Sequence, residues 1–332
     1  MTAGGPARDE RLVPGGEMRQ EGPVDPSRPA RAATADWLLF LVPSVIWGTT
    51  WLAIKLQLGP VAPTLSVAYR FGLSAALLFG WCALRRIPLR FGPGTHASLA
   101  MLGAFQYALN YVLVYSSEEH LTSGLVALVF GLLLLWNVLG ARLFFRTPIT
   151  GTVVIGGALG LVGVTLVLWP DLSRLQGVAG QALGILLAML ATLSSSAGNL
   201  WAQRVYQRGL PVIPSTAFAM LYGALAVFLA SRVAGVPLAF AASLPYLASL
   251  AYLALFGSIF AFLSYLTLIR RIGAGPAGYS SVVIPVVAMA ASTVFEGYRW
   301  TAPALAGMGL VLAGNVLVLR RPAGRPAAPP PP

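Results

Sequence analysis

Charge is what this 332-residue chain has least of: Asp, Glu, Lys and Arg make up 10% of it, against 57% hydrophobic residues. Soluble domains carry about 25% charged residues, so the expected solvent is a lipid bilayer. A single cysteine, Cys82, excludes an internal disulfide framework and a cysteine-based metal cluster. The two histidines, His96 and His120, have no second histidine or carboxylate at ligand spacing. The HExxH and GxSxG motifs and the glycine loop ending in Gly-Lys-Ser/Thr are all missing, and no pair of acids lies inside an apolar run. These absences speak against a membrane-embedded enzyme and an ATP-driven pump, and no cofactor or metal is expected.

What is present is apolar length. Spanning needs about 20 residues at 1.5 Å each, and the intervals between charges offer ten spans, near 37–55, 63–84, 96–115, 122–142, 148–169, 180–202, 212–231, 244–269, 275–296 and 301–319. Turn and charge signals such as Gly59-Pro60, Arg85-Arg86, Glu118-Glu119 and Arg270-Arg271 mark the joints. Residues 1–35 and the proline-rich segment 321–332 read as disordered tails. The net charge of +12 is spread in ones and twos between apolar runs, forming no face for a nucleic acid. Lys55, Arg174, Arg232 and Arg299 fall on one side and Arg70 inside a span, while the remaining 17 of the 22 basic residues share the side of both tails. Because cytoplasmic loops retain Lys and Arg, both termini are expected in the cytoplasm.

The chain also repeats itself at a separation of about 150 residues. Tyr111 is followed after thirteen residues by Gly124, as Tyr265 is by Gly278, and GVTLVLWP from Gly163 matches GNVLVLRRP from Gly314. Five spans per unit is an odd number, so the second copy must sit inverted, the architecture that gives transporters mirror-related gates.

At two places the sequence resembles a known family. IWGTTWLAIKL (46–56) with APTLSVAYRFGLSAALL (62–78) looks like the opening of the first EamA repeat of the drug/metabolite transporter superfamily, and IPVVAMAASTVFEGYRW (284–300) carries that repeat's proline and glutamate, here Pro285 and Glu296. The resemblance implies an all-α integral membrane fold of ten helices, with repeats over 36–170 and 180–320, a multi-pass protein of the bacterial inner membrane and a secondary transporter, with export the commoner role. At the matching positions of the first repeat stand Phe130 and Ala141, so that copy is degenerate.

Polar groups inside the spans mark the expected solute path. Arg70 is a cation seven residues into its span from Pro63, and such a charge costs at least about 2.5 kcal/mol. It either binds the anionic end of a solute, latches a gate through Glu118, Glu119 or Glu296, or snorkels to the headgroups. Lys55 is a second cation near the outer entrance, or an interfacial anchor. Trp47 and Trp51 share one helical face, as do Tyr107, Asn110 and Tyr111, and with Asn199 and Tyr265 these suit a pocket for a small solute. The competing reading is hydrogen-bonded glue between helices. Pro285 should kink its helix and could hinge a gate. Glycines such as Gly156 and Gly160, and Gly309 with Ala313, have the spacing for close helix packing.

The resulting expectation is alternating access for a small metabolite, amino acid or drug, with the bilayer as environment and a homodimer left open. A lipid scramblase or flippase of the same fold, or a non-transporting membrane protein, are the alternatives.

Overall fold

The computed structural model describes residues 28–59, 61–172, 178–277 and 280–319. The tail residues 1–27 and 320–332, and with them Arg174 and Gly278, lie outside the described residues. All regular structure described is helical. In chain order the helices are α1 (Arg28–Lys55), α2 (Pro63–Leu84), α3 (Pro93–Gly103), α4 (Asn110–Glu118), α5 (Ser123–Phe130), α6 (Leu133–Phe145) and α7 (Gly151–Leu172), then α8 (Val178–Gln207), α9 (Val212–Val233), α10 (Leu244–Tyr252), α11 (Ala261–Ile272), α12 (Ala274–Ala277), α13 (Ser280–Phe295) and α14 (Ala302–Leu319). Two π-helical segments, Ala104–Leu109 and Leu253–Phe260, join α3 to α4 and α10 to α11.

Among the described residues seven helical segments are long and apolar enough to cross a membrane, and three further expected spans carry shorter apolar stretches, Gly151–Val167, Val283–Phe295 and Ala302–Val318. The chain is therefore a multi-pass membrane protein. Its α1 begins at Arg28, eight residues before the boundary expected for the tail: Pro29 is tolerated in the first turn, and the alanine-rich stretch after it carries no further proline or glycine until Pro43. Over the ninth expected span the described residues form α12 and, from Ser280, α13.

Equivalent elements of the two halves meet each other. The most extensive contacts join α7 to α14 and α2 to α9, and α1 packs on α13 and α11 as α8 packs on α6 and α4. The α7–α14 contact is backbone on backbone. A Cβ on Gly156 would come within 2.5 Å of the Gly314 carbonyl oxygen, and one on Gly163 within 2.5 Å of that of Gly307, with reciprocal contacts from the other helix. Gly309, expected in this role, meets nothing within 4 Å. Gly307 and Gly314 are seven residues apart, two turns on one face, whereas Gly309 is rotated away.

The fourth span of the first half breaks into α5 and α6 just after Phe130. There the amides of Gly131 and Leu132 donate to the carbonyls of Leu128 and Val129 at 2.9 and 3.0 Å, three residues back, which tightens the helix before α6 starts. Its counterpart α13 instead carries Pro285 within the helix, where the ring removes one amide donor from the ladder.

Candidate functional site

Where α1, α4, α5, α6, α8, α11 and α13 converge, they enclose a cavity with about 680 Å³ of empty space, its mouth included. Trp47, Thr50, Trp51 and Ile54 line it from α1, Asn110, Tyr111 and Val114 from α4, and Gln106 from the preceding π-segment. Ala127, Phe130 and Leu133 face it across the α5–α6 break, and Ser195, Asn199, Phe262, Tyr265, Ser280, Ile284 and Pro285 complete it from the second half. No ionisable group other than tyrosine stands in this wall.

Aromatic rings hold the shape. Trp47 meets Phe262 and Tyr265 edge-on at 5.0 Å each, and Trp51 meets Phe130 at 4.8 Å. The Trp47 indole Nε1 donates to the Gly257 carbonyl at 3.1 Å. That carbonyl lies in the second π-segment, where the wider turn changes the usual partners of the backbone. A chain of amides crosses the cavity floor: Gln106 Nε2 donates to Asn199 Oδ1 at 3.3 Å, and Asn199 Nδ2 donates to Asn137 Oδ1 at 3.4 Å and to the Tyr265 hydroxyl at 3.3 Å. Through Asn199 the two halves are tied at the centre. Trp51 Nε1, Gln106 Oε1 and Asn110 Oδ1 are buried in the cavity wall with no protein partner among the described residues. Buried polar groups ordinarily find a partner; the packed protein leaves these three without one, with Gln106 Oε1 turned against Gly198 of α8.

Arg70 is fully buried, and it is not in the cavity wall. Its Nε donates to Ser258 Oγ at 2.9 Å, and its guanidinium carbon lies 4.5 Å from the Tyr111 ring centre and 5.1 Å from that of Phe71. Its Nη1 and Nη2 meet no carboxylate among the described residues, and the Tyr111 and Tyr115 hydroxyls are the neutral groups that interact with the guanidinium. A buried ion costs several kcal/mol. Two cation–π contacts at about 0.5–2 kcal/mol each and one charged hydrogen bond at about 1.5–3 kcal/mol recover only part of that. The snorkelling alternative fails, because the head never reaches the surface.

At the cavity's α4–α5 end, the chain closes on itself. Glu296, just beyond α13, accepts the Ser123 amide on both carboxylate oxygens at 3.2 and 3.1 Å and also accepts the Ser123 hydroxyl. Ser123 opens α5, so a carboxylate from the second half caps a helix N-terminus of the first. Such a carboxylate is worth about 0.3–2 kcal/mol from the helix dipole alone. Beside it, the Lys55 ammonium donates to the carbonyl oxygens of Glu118 and of Leu121, the latter at 2.7 Å. Glu118 is fully buried and its two carboxylate oxygens have no partner among the described residues; Glu119 beside it is exposed.

Of the nine residues expected to bind solute, Trp47, Trp51, Asn110, Tyr111, Asn199 and Tyr265 meet in the cavity wall. Three do not. Tyr107 is packed behind it against Phe71 and Phe262 at 5.1 and 5.0 Å, because the π-segment Ala104–Leu109 widens the turn and brings Gln106, not Tyr107, into line with Asn110 and Tyr111. Lys55 satisfies helix-end carbonyls instead of facing the cavity, as a cation at a helix C-terminus should. Arg70 stands one ring behind the wall. Glu118 and Glu296 lie together at the closed end, Glu119 is apart from them, and Pro285 is itself a lining residue. Phe130 and Phe262 were missed as wall residues, having no polar atom to mark them inside an apolar run.

The chain belongs to the EamA-like transporter family, whose model matches residues 36–169 and 182–320. It is 24% identical over 288 residues to an "Uncharacterized transporter" of Archaeoglobus fulgidus, covering 86% of this chain and 99% of the relative. It is 28% identical over 280 residues to the "Uncharacterized inner membrane transporter YedA" of Escherichia coli, covering 82% and 87%. With a "Probable terminal-alkyne amino-acid exporter" of Streptantibioticus cattleyicolor it shares 27% identity over 312 residues, covering 89% and 96%. A solved crystal structure matches the fold with a TM-score of 0.65 at 19% identity, over 86% of this chain and 97% of its own.

Proposed function

We propose that this chain is a secondary transporter of the bacterial inner membrane, built from ten spans in two inverted five-helix units, that exports a small organic solute by alternating access. The observation that carries the reading is the central cavity, whose wall is contributed by both halves and crossed by the Gln106–Asn199–Tyr265 hydrogen bonds. A site shared by two repeats is where their relative rocking alternates its exposure. Helix irregularities surround it, with the two π-segments, the break after Phe130 and Pro285 all close to its wall. Aromatic faces suit the apolar body of the solute, and the polar side chains of Asn110 and Ser195 in the wall suit its polar groups.

In this reading the end that bears Lys55, Glu118 and Glu296 faces the outside, in line with the sparse basic residues there, and both termini are cytoplasmic. Glu296 on Ser123 and Lys55 on the Glu118 and Leu121 carbonyls form the outer gate, and Pro285 shapes the gate helix from within the cavity. The names of the relatives support an inner-membrane location and, for one of them, an amino acid as cargo.

The test is a flux screen of such solutes with purified protein in liposomes, with and without a pH gradient. Saturable accumulation or counterflow of at least one solute is expected. No solute movement together with transbilayer passage of fluorescent lipids would replace the reading with a scramblase.

A further inference from the structure

We propose that Arg70 is a concealed anion subsite of this cavity, reached when Tyr111 swings aside, and that it takes the carboxylate of a solute whose apolar body lies among the cavity's aromatic rings. The proposal rests on the transporter reading above and adds a substrate class to it: organic anions or zwitterions bearing a carboxylate.

Position comes first. The Tyr111 ring covers the guanidinium at 4.5 Å and also lines the cavity, so one side chain separates the cation from the solute space. The same ring leans edge-on against Phe71 at 4.8 Å, and its hydroxyl interacts with Arg70, the group that a solute carboxylate would take over. The far side is held open by Gly257, where a Cβ would stand 3.1 Å from Nη2 and 2.8 Å from the Thr50 methyl. Space for the head is thus built into the second π-segment.

Orientation comes next. Ser258 holds Nε at 2.9 Å, which leaves Nη1 and Nη2 as a fixed fork. Paired guanidinium nitrogens match the two oxygens of a carboxylate. No carboxylate of the chain takes that fork among the described residues: Glu118, the acid within electrostatic reach, keeps both its own oxygens unpartnered. The cavity wall carries no other cation, so a solute's negative end finds its charge only by displacing Tyr111.

Binding of radiolabelled benzoate and benzamide to the full chain in lipid nanodiscs tests this, because the two probes share a shape and differ in charge. Wild type is expected to retain benzoate about tenfold more tightly than benzamide, as a bidentate charged pair should. Arg70→Gln should lower benzoate to the benzamide level with benzamide unchanged, and Arg70→Lys, which keeps the charge without the fork, should fall between them. Tyr111→Ala, which uncovers the cation, should raise the benzoate-to-benzamide retention ratio several-fold and supplies a second reading if Arg70→Gln does not fold; a ratio that does not rise overturns the concealment. Equal retention of both probes by wild type, or a preference that survives Arg70→Gln, overturns the subsite and leaves the cavity standing. Retention of neither probe overturns the subsite and the cavity reading together. Displacement of benzoate by an equal concentration of chloride overturns the carboxylate assignment in favour of a halide site.

Discussion

The two copies of the fourth span end differently, and the difference makes the two ends of the cavity unequal. After α13 comes Glu296, whose carboxylate caps α5 through Ser123. At the matching position of the first copy stands Ala141, which has no carboxylate to offer. On the Glu296 side the wall stops at Ile54, next to Lys55 in the chain, and at Val114 and Ala127, about one turn short of Glu118 and Ser123. On the opposite side it runs to Ser280, the first residue of α13. The lesson is that a symmetric scaffold can differ by one side chain: the backbone contacts of α7 with α14 are reciprocal, whereas among the described residues the carboxylate cap of Glu296 on Ser123 has no counterpart at Ala141.

The scaffold should break first and hardest. Gly163→Leu places a side chain where the Gly307 carbonyl lies within 2.5 Å of a Cβ, and overpacking of that kind costs about 1–3 kcal/mol or more. Little monodisperse protein is expected in size-exclusion chromatography after detergent extraction, whereas Gly309→Leu, facing nothing within 4 Å, should behave as wild type.

Next in size is the loss of the latch. Glu296→Ala removes hydrogen bonds to a charged acceptor worth about 1.5–3 kcal/mol each at most, so the balance of open and closed states at that end should shift by about tenfold or more. The change should be read as faster hydrogen exchange across Ser123 to Val126, and unchanged exchange there would remove Glu296 from the gate. Ala141→Glu sharpens the comparison from the other side. If a carboxylate is what the degenerate copy lacks, this variant should slow flux several-fold in the liposome screen without changing its solute.

Lys55→Met should have the smallest effect. It leaves the Glu118 and Leu121 carbonyls to other partners while the Glu296 cap persists, at about 1 kcal/mol for an ordinary surface-proximal interaction. A melting shift of a few degrees is expected, with benzamide retention unchanged because Lys55 does not touch the cavity.

The spans themselves were legible because their limits are written in chemistry. Arg85-Arg86 follows α2, and Arg270-Arg271 sits in the last turn of α11, just before Gly273 ends it. The cavity was legible where ordinary helical spacing holds, so Trp47 with Trp51 and Asn110 with Tyr111 came together as expected. It was misread at Tyr107, because nothing local in Ala104–Leu109 announces a π-turn that shifts the face by one residue. Lys55 and Glu296 show a different limit. Their partners are 63 and 173 residues away, and only the packed structure says whether a charge near a helix end meets solute, a carbonyl or a helix N-terminus.

The unequal gates are tested most directly by a cysteine placed in the cavity wall, Ala127→Cys, in a Cys82→Ser background, labelled with a membrane-impermeant thiol reagent added to either side of oriented vesicles. Labelling is predicted only from the side bearing Arg85 and Arg142, with Glu296→Gln adding labelling from the Glu296 side. Equal labelling from the Glu296 side before and after Glu296→Gln would contradict the account.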